Sequence, residues 1–273
     1  MASLSSTPDA NTLKPVQAKR RFATMRAVIA LMLREMNTTY GRSPGGYLWE
    51  ILQPVAGIAV LSAVFSAGFR SPPIGTNFAI FYATGLLPFT VFITVSGKLA
   101  QALNFSKQLL AYPSITYIDA VLGRFILNIL TQLLVTYIVL AGILLIYETR
   151  TTLELDRVAL AYAMAAALSL GVGTMNCFLM SMFPIWQQVW SIFTRPLVIV
   201  SGVIFLYEST PAQFREYIWY NPLMHVTGEM RGAFFVSYEA SYVSPLYVFL
   251  TSLVLFVVGL LFLRRYHRDI LNF

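Results

Sequence analysis

Residues 78–97 read FAIFYATGLLPFTVFITVSG, a stretch without Asp, Glu, Lys, Arg or His. At 1.5 Å of rise per helical residue it would cover about 30 Å, the hydrocarbon thickness of a bilayer. Working outward, five further stretches are comparably apolar, at about 47–69, 120–147, 158–183, 189–207 and 244–263. Residues 158–183 also lack any charge, 120–147 is long enough to tilt or project, and 189–207 carries the pair Arg195-Pro196. The whole chain of 273 residues is 57% hydrophobic and 11% charged, where soluble domains carry about 25% charged residues. Such a chain would aggregate in water unless lipid replaced the solvent. The expected fold class is therefore an all-α integral membrane protein with six transmembrane helices.

Orientation follows from Lys and Arg, which accumulate in cytoplasmic loops. With the N-terminus inside, all four lysines, Arg20, Arg21, Arg26, Arg34, Arg42, Arg124, Arg264, Arg265 and Arg268 fall on the cytoplasmic side. Arg70, Arg150, Arg157, Arg215 and Arg231 fall opposite. Both termini are then cytoplasmic, and topology accounts for the net charge of +7 without a nucleic-acid partner. The first 46 residues are polar and basic with no apolar core and cleavage site, so the first span serves as the insertion signal. Residues 1–16 read as a disordered cytoplasmic tail. The single cysteine, Cys177, lies in an apolar run and reads as a packing residue. The histidines, Cys177 and carboxylates show no metal-ligand spacing.

Three parts lie outside the simple spans. Residues 17–40, QAKRRFATMRAVIALMLREMNTTY, are too charged to cross. Phe22, Met25, Ile29, Met32, Leu33, Met36 and Tyr40 recur at helical spacing, with Arg26, Ala30, Arg34 and Asn37 on another face. This predicts an amphipathic helix in the membrane surface, followed by an elbow at GRSPGG, 41–46. The plainer alternative is a positively charged topology anchor. Residues 101–119 read as a short cytoplasmic helix stopping before Pro113, with Phe105, Leu109, Leu110 and Tyr112 at helical intervals as a docking face. Residues 208–243 mix charges with aromatics and contain Pro211, Pro222 and Gly228. They predict two short helices, broken at Asn221-Pro222, that dip partway into the membrane from outside before the last span.

The second of those short helices concentrates charge, with His225, Glu229 and Arg231 close together. His225 and Glu229, four apart, share a helix face where they could pair, while Arg231 faces elsewhere. Ionisable groups at membrane depth are costly and usually face water or a partner. The plainer alternative puts them at the lipid–water boundary, holding the loop's shape.

No G-x-x-x-x-G-K-[ST] phosphate loop and no G-x-S-x-G elbow occurs. Work against a gradient would need energy from another chain. An integral membrane glycan or lipid transferase would need acids clustered on one side, whereas Glu50, Asp119, Glu148 and Glu154 are split between sides. A passive channel would need a filter-like loop or a repeated ring of charge.

The layout resembles the membrane subunit of type-2 ABC exporters, in particular those exporting bacterial capsular polysaccharide. The matching stretches are LLAYPSIT (109–116), RPLVIVSGVIF (195–205) and YNPLMHVTGEMR (220–231), within a likeness covering about residues 20–270. The resemblance implies a non-enzymatic permease in the bacterial inner membrane, working as a homodimer above a separate dimeric ABC ATPase. ATP and Mg would sit on that partner, and this chain would bind no cofactor. A periplasmic adaptor protein and a lipid-linked polysaccharide are further implied partners. Exporters of O-antigen, teichoic acid or drugs stand beside it, and the lack of a large periplasmic insertion favours the polymer.

The resemblance also assigns residues. Segment 101–117 would be the coupling helix, with Lys107, Leu109, Tyr112 and Pro113 facing the ATPase, and Arg26, Arg34 and Glu35 sharing the contact. Asn221, Pro222, His225, Glu229 and Arg231 would form the external gate or re-entrant helices, anchored across the dimer or bracing the outer side. Arg195, near the inner end of the fifth span, could meet the phosphate of a lipid-linked glycan with bidentate hydrogen bonds. Its alternative is snorkelling to the inner headgroups. Tyr82, Phe89, Phe92, Trp190 and Phe193 are the aromatics that could stack against sugar rings along a conduit.

Overall fold

The computed structural model describes residues 23–40, 45–110, 115–148, 151 and 153–272. Among these every regular element is helical: α1 (Ala23–Glu35), α2 (Gly46–Gly68), α3 (Phe78–Ala100), α4 (Ala102–Leu110), α5 (Tyr117–Ile146), α6 (Leu155–Met182), α7 (Ile185–Val200), α8 (Ala212–Trp219), α9 (Pro222–Phe234) and α10 (Pro245–Asn272), with a π-helical turn at Met36–Tyr40 and a 3₁₀ turn at Tyr207–Ser209. The expected tail 1–16, most of the elbow, Tyr112 and Pro113 lie outside the described residues.

Local chemistry sets the ends. Asn77 caps α3 by accepting the Ala79 N–H at 2.7 Å. Thr116 and Asp119 form a reciprocal capping box that starts α5. Within the expected helical segment 101–117 the described residues show α4 over Ala102–Leu110, and Thr116 is already extended, so one continuous helix does not run through it. Asn221 caps α9 through the Leu223 N–H, and Pro222 sits at the first helical position, where its missing N–H costs nothing. The break expected at Asn221-Pro222 is present.

Among the described residues five helical stretches are long and apolar enough to cross a bilayer: Gly46–Gly68, Phe78–Leu110, Tyr117–Ile146, Leu155–Met182 and Pro245–His267. The fifth expected stretch differs. Its helix, α7, starts earlier and stops at Val200, where Gly202 takes a left-handed turn (φ 71°). At 16 residues α7 is about 24 Å long.

The centre is α6, which packs against α10 on one side and α3 on another, with α9 alongside. Lipid tails give no hydrophobic drive between helices, so such seams depend on close approach at small residues. At Gly171 a Cβ would collide with the Ser252 carbonyl of α10; at Gly259 it would meet the Met175 nitrogen of α6 at 2.8 Å. α1 and α2 lie at the periphery, α1 against α5, and α2 against α3 and α5. α7 has no buried residue and packs lightly, against α6. A cleft of about 620 Å³ between α2, the start of α3 and the end of α5 has mainly apolar walls, including Ile51, Val55, Ile58 and Ile143, and none of the candidate residues lines it.

Gly171→Val should separate the α6–α10 seam and cost about 2 kcal/mol or more. Gly97→Ala, where a Cβ meets nothing within 4 Å, should be neutral or stabilising by up to about 1 kcal/mol. Thermal unfolding in detergent measures both.

Candidate functional site

The charged residues of 220–235 do not pair with one another. α9 is buried from Leu223 to Phe234, and each ionisable group on it reaches a different element. Arg231, 1% exposed, donates from Nη1 to the Phe205 carbonyl (2.9 Å) and from Nη2 to the Val203 carbonyl (3.0 Å). Its guanidinium lies 4.4 Å from the centre of the Phe81 ring. Thr227 Oγ1 donates to the Ser201 carbonyl at 2.8 Å, and Asn221 Nδ2 to the Val200 carbonyl at 3.2 Å. Three side chains on or capping one helix therefore hold the last carbonyl of α7 and three in the turn that follows it.

Glu229 instead accepts from Arg157 Nε at 2.9 Å, and Arg157 Nη1 donates to the Gly232 carbonyl. This ties the start of α6 to the end of α9, reinforced by the Glu154 N–H donating to the Ala233 carbonyl. His225 is 0% exposed; Nε2 lies 2.8 Å from the Trp219 carbonyl and Nδ1 accepts the Ser244 N–H at 3.1 Å. Those partners assign the neutral Nε2–H tautomer. The expected His225–Glu229 pairing is thus absent: sharing a face settles only reach, and both side chains have nearer partners on neighbouring segments. Within one chain Glu229 and Arg231 already brace α6, α7 and α9, so neither needs a second copy for a partner. Beside them Tyr238 donates to Glu208 at 3.0 Å, and burial pushes Tyr242 up to about 12, so it stays protonated.

At the other end, α1, α4 and α5 converge. Glu35, 2% exposed, accepts Arg124 Nε at 3.1 Å on each oxygen and Asn128 Nδ2 at 3.3 Å. It faces inward, which corrects its placement on an ATPase-facing surface. The cause is a third face of α1, Val28–Leu31–Glu35, that packs on α5, while the apolar stripe of Met25, Ile29, Leu33 and Met36 stays exposed as a lipid-facing side would. Arg34 stacks on Phe105 of α4; Arg26 and Lys107 are exposed and Leu109 is half-buried. Arg124, Asn128, Arg157 and Thr227 have no site role in the sequence reading, and Phe105, expected on a docking face, lies against Arg34 and Arg124. Arg124 and Asn128, four apart in an apolar run, were the available signal for a buried polar patch.

The aromatics divide. Tyr82, Phe89 and Phe92 are buried inside one chain, Phe89 and Phe92 in a cluster with Leu168, Val203 and Leu223. They pack inside the chain and present almost no exposed face. Trp190 packs partly against that cluster, whereas Phe193 is 64% exposed and Arg195 is exposed. Gln188, Ser191 and Arg195, spaced i, i+3 and i+7, form one exposed polar stripe along α7. Among the described residues no three His, Cys, Asp or Glu side chains gather as a metal site would require.

Residues 26–235 match the family described as ABC-2 type transporter. The chain is 30% identical over 251 residues to the polysialic acid transport protein KpsM of Escherichia coli, covering 90% of this chain and 96% of that protein. It is 24% identical to the capsule polysaccharide export inner-membrane protein CtrC of Neisseria meningitidis and 21% to its counterpart BexB of Haemophilus influenzae, each over 90% of this chain and 92% of the relative.

Arg231→Leu strands two interior carbonyls and should cost about 2–4 kcal/mol, read as a lowered unfolding midpoint in detergent.

Proposed function

Since the chain belongs to the ABC-2 type transporter membrane family, we propose that it is the permease half of an ATP-driven exporter of capsular polysaccharide. Two copies form the conduit, a separate ATPase dimer docks beneath α4 and supplies ATP and Mg, and this chain binds no cofactor. The cargo is lipid-linked, and a periplasmic adaptor receives it. The names of the relatives support the cargo class.

The observation that carries this reading is the polar stripe Gln188–Ser191–Arg195 on a helix with no buried residue. Arg195 stands ten residues into α7, about 15 Å from its start. At the other end, Val203 backbone lies against Gly85, seven residues into α3, or about 10 Å down that helix. If α7 starts at the inner surface, Arg195 would lie well inside the bilayer, with Ser191 and Gln188 stepping back toward that surface. An arginine at that depth is costly against hydrocarbon, and snorkelling would have a long distance to cover. A second copy across a watery seam satisfies the stripe, and a phosphorylated glycan passing along the seam would meet Arg195.

In this reading α7 with the 201–206 turn makes the sixth crossing, and α8 and α9 are re-entrant. Leu223 clusters with Phe89 and Phe92, 11 or more residues into α3, while Phe235 lies against Gly75, just before α3 begins. α9 would therefore climb outward from about half depth. Both termini are cytoplasmic by the Lys and Arg distribution.

Arg195→Ala should lower export severalfold while the complex with the ATPase still assembles; unchanged export removes Arg195 from the pathway. Cys177 is fully buried, so Ser191→Cys introduces the accessible thiol. A disulfide-linked dimer under mild oxidation in membranes is expected, and purely monomeric protein would count against the α7 seam.

A further inference from the structure

Where α4 meets the rest of the chain, one aromatic ring lies between two cations from two other helices. Phe105 of α4 has the Arg34 guanidinium of α1 at 5.4 Å from its ring centre and that of Arg124 of α5 at 4.3 Å. Arg124 is in turn locked by the Glu35 carboxylate and is 6% exposed, and Glu35 is held again by Asn128. Arg34 and Arg124 each keep a buried Nη1 without a hydrogen-bond partner. Two like charges converge here with one carboxylate between them, so the electron-rich ring faces offset the remainder. A side chain of the same bulk without a π-face would fill the space and leave the cations unopposed. Besides this ring contact, α4 lies against α5 and, less extensively, α6 and α3.

We propose that Phe105, gripped between Arg34 and Arg124, is the joint that passes displacement of α4 to α1 and α5 together. This rests on the permease reading, in which α4 receives the stroke of the ATPase. Helix α1 lies flat against α5 with Val28 and Leu31 buried, so a ring clamped by both moves them as one body instead of sliding α4 past either. Phe105 is thus a positioning residue. It touches neither cargo nor nucleotide, and its loss shows in the yield of transport per ATP.

The experiment uses the full permease–ATPase complex in proteoliposomes, with cargo transport and ATP hydrolysis measured on the same vesicles. Phe105→Leu should assemble and hydrolyse ATP yet transport roughly three- to thirtyfold less per ATP. Phe105→Trp, which keeps a π-face for both cations, should retain the ratio. A wild-type ratio for Phe105→Leu, or equal loss for Phe105→Trp, overturns the proposal. If Phe105→Leu fails to assemble, Arg34→Gln, on a half-buried side chain, reads the same ratio: a fall supports the joint and a wild-type value overturns it. Absence of ATP-dependent transport by the wild-type complex would instead overturn the permease reading itself.

Discussion

A bilayer offers no water to a backbone that stops being helical partway through it, and every carbonyl freed there needs a donor from protein. The turn after α7 frees the carbonyls of Val200, Ser201, Val203 and Phe205, and Asn221, Thr227 and Arg231 supply the donors. Much else follows from that requirement. The donors must come from one rigid element at the right depth, so α9 is buried almost end to end. A buried α9 must itself be held, which Arg157, Glu154 and the segment around Ser244 do through Glu229, Ala233 and His225. Arg157 and Arg231 thus each fasten backbone carbonyls.

The same logic explains why Arg231 tolerates an interior position without a carboxylate against it. Two carbonyl acceptors and the face of Phe81 spread the stabilisation over three groups that cannot lose a proton. Removing a carboxylate partner would leave an uncompensated charge, whereas carbonyls are present in any sequence that folds this way. The cation belongs to the architecture of the turn.

How much of this could be read from residues depends on which signal each feature leaves. Apolar runs marked the long helices well, because bilayer thickness fixes their length. They misplaced the end of α7, since SGVIFL (201–206) is as apolar as a helix but is buried turn: hydrophobicity reports environment, and Gly202 ends the helix through backbone geometry. Spacing placed His225 and Glu229 on one face without revealing that Trp219, Ser244 and Arg157 would compete for them. On α1 spacing gave the apolar stripe to the membrane surface but did not reveal that Val28, Leu31 and Glu35, on another face, pack inward on α5. In a membrane protein the apolar side can point away from the protein, and the side that packs can carry a charge.

This leaves a division of labour within the chain. α3, α6, α9 and α10 share extensive faces, fixed by glycine approaches and the donors of α9, and form one block. α7 is fastened at its two ends, by the turn contacts just described and by the Trp186 indole donating to Asn176 at 2.9 Å, while between them Trp190 packs partly against the cluster of Phe89 and Phe92 and no residue is buried. α4 reaches the block through α6 and the periphery through α5. In the proposed function a displacement entering at α4 would meet two resistances: a packed block that moves as a unit, and a helix held chiefly at its ends. Relative motion would then concentrate where attachment is least, along α7. The polar stripe Gln188–Ser191–Arg195 lies along that same helix.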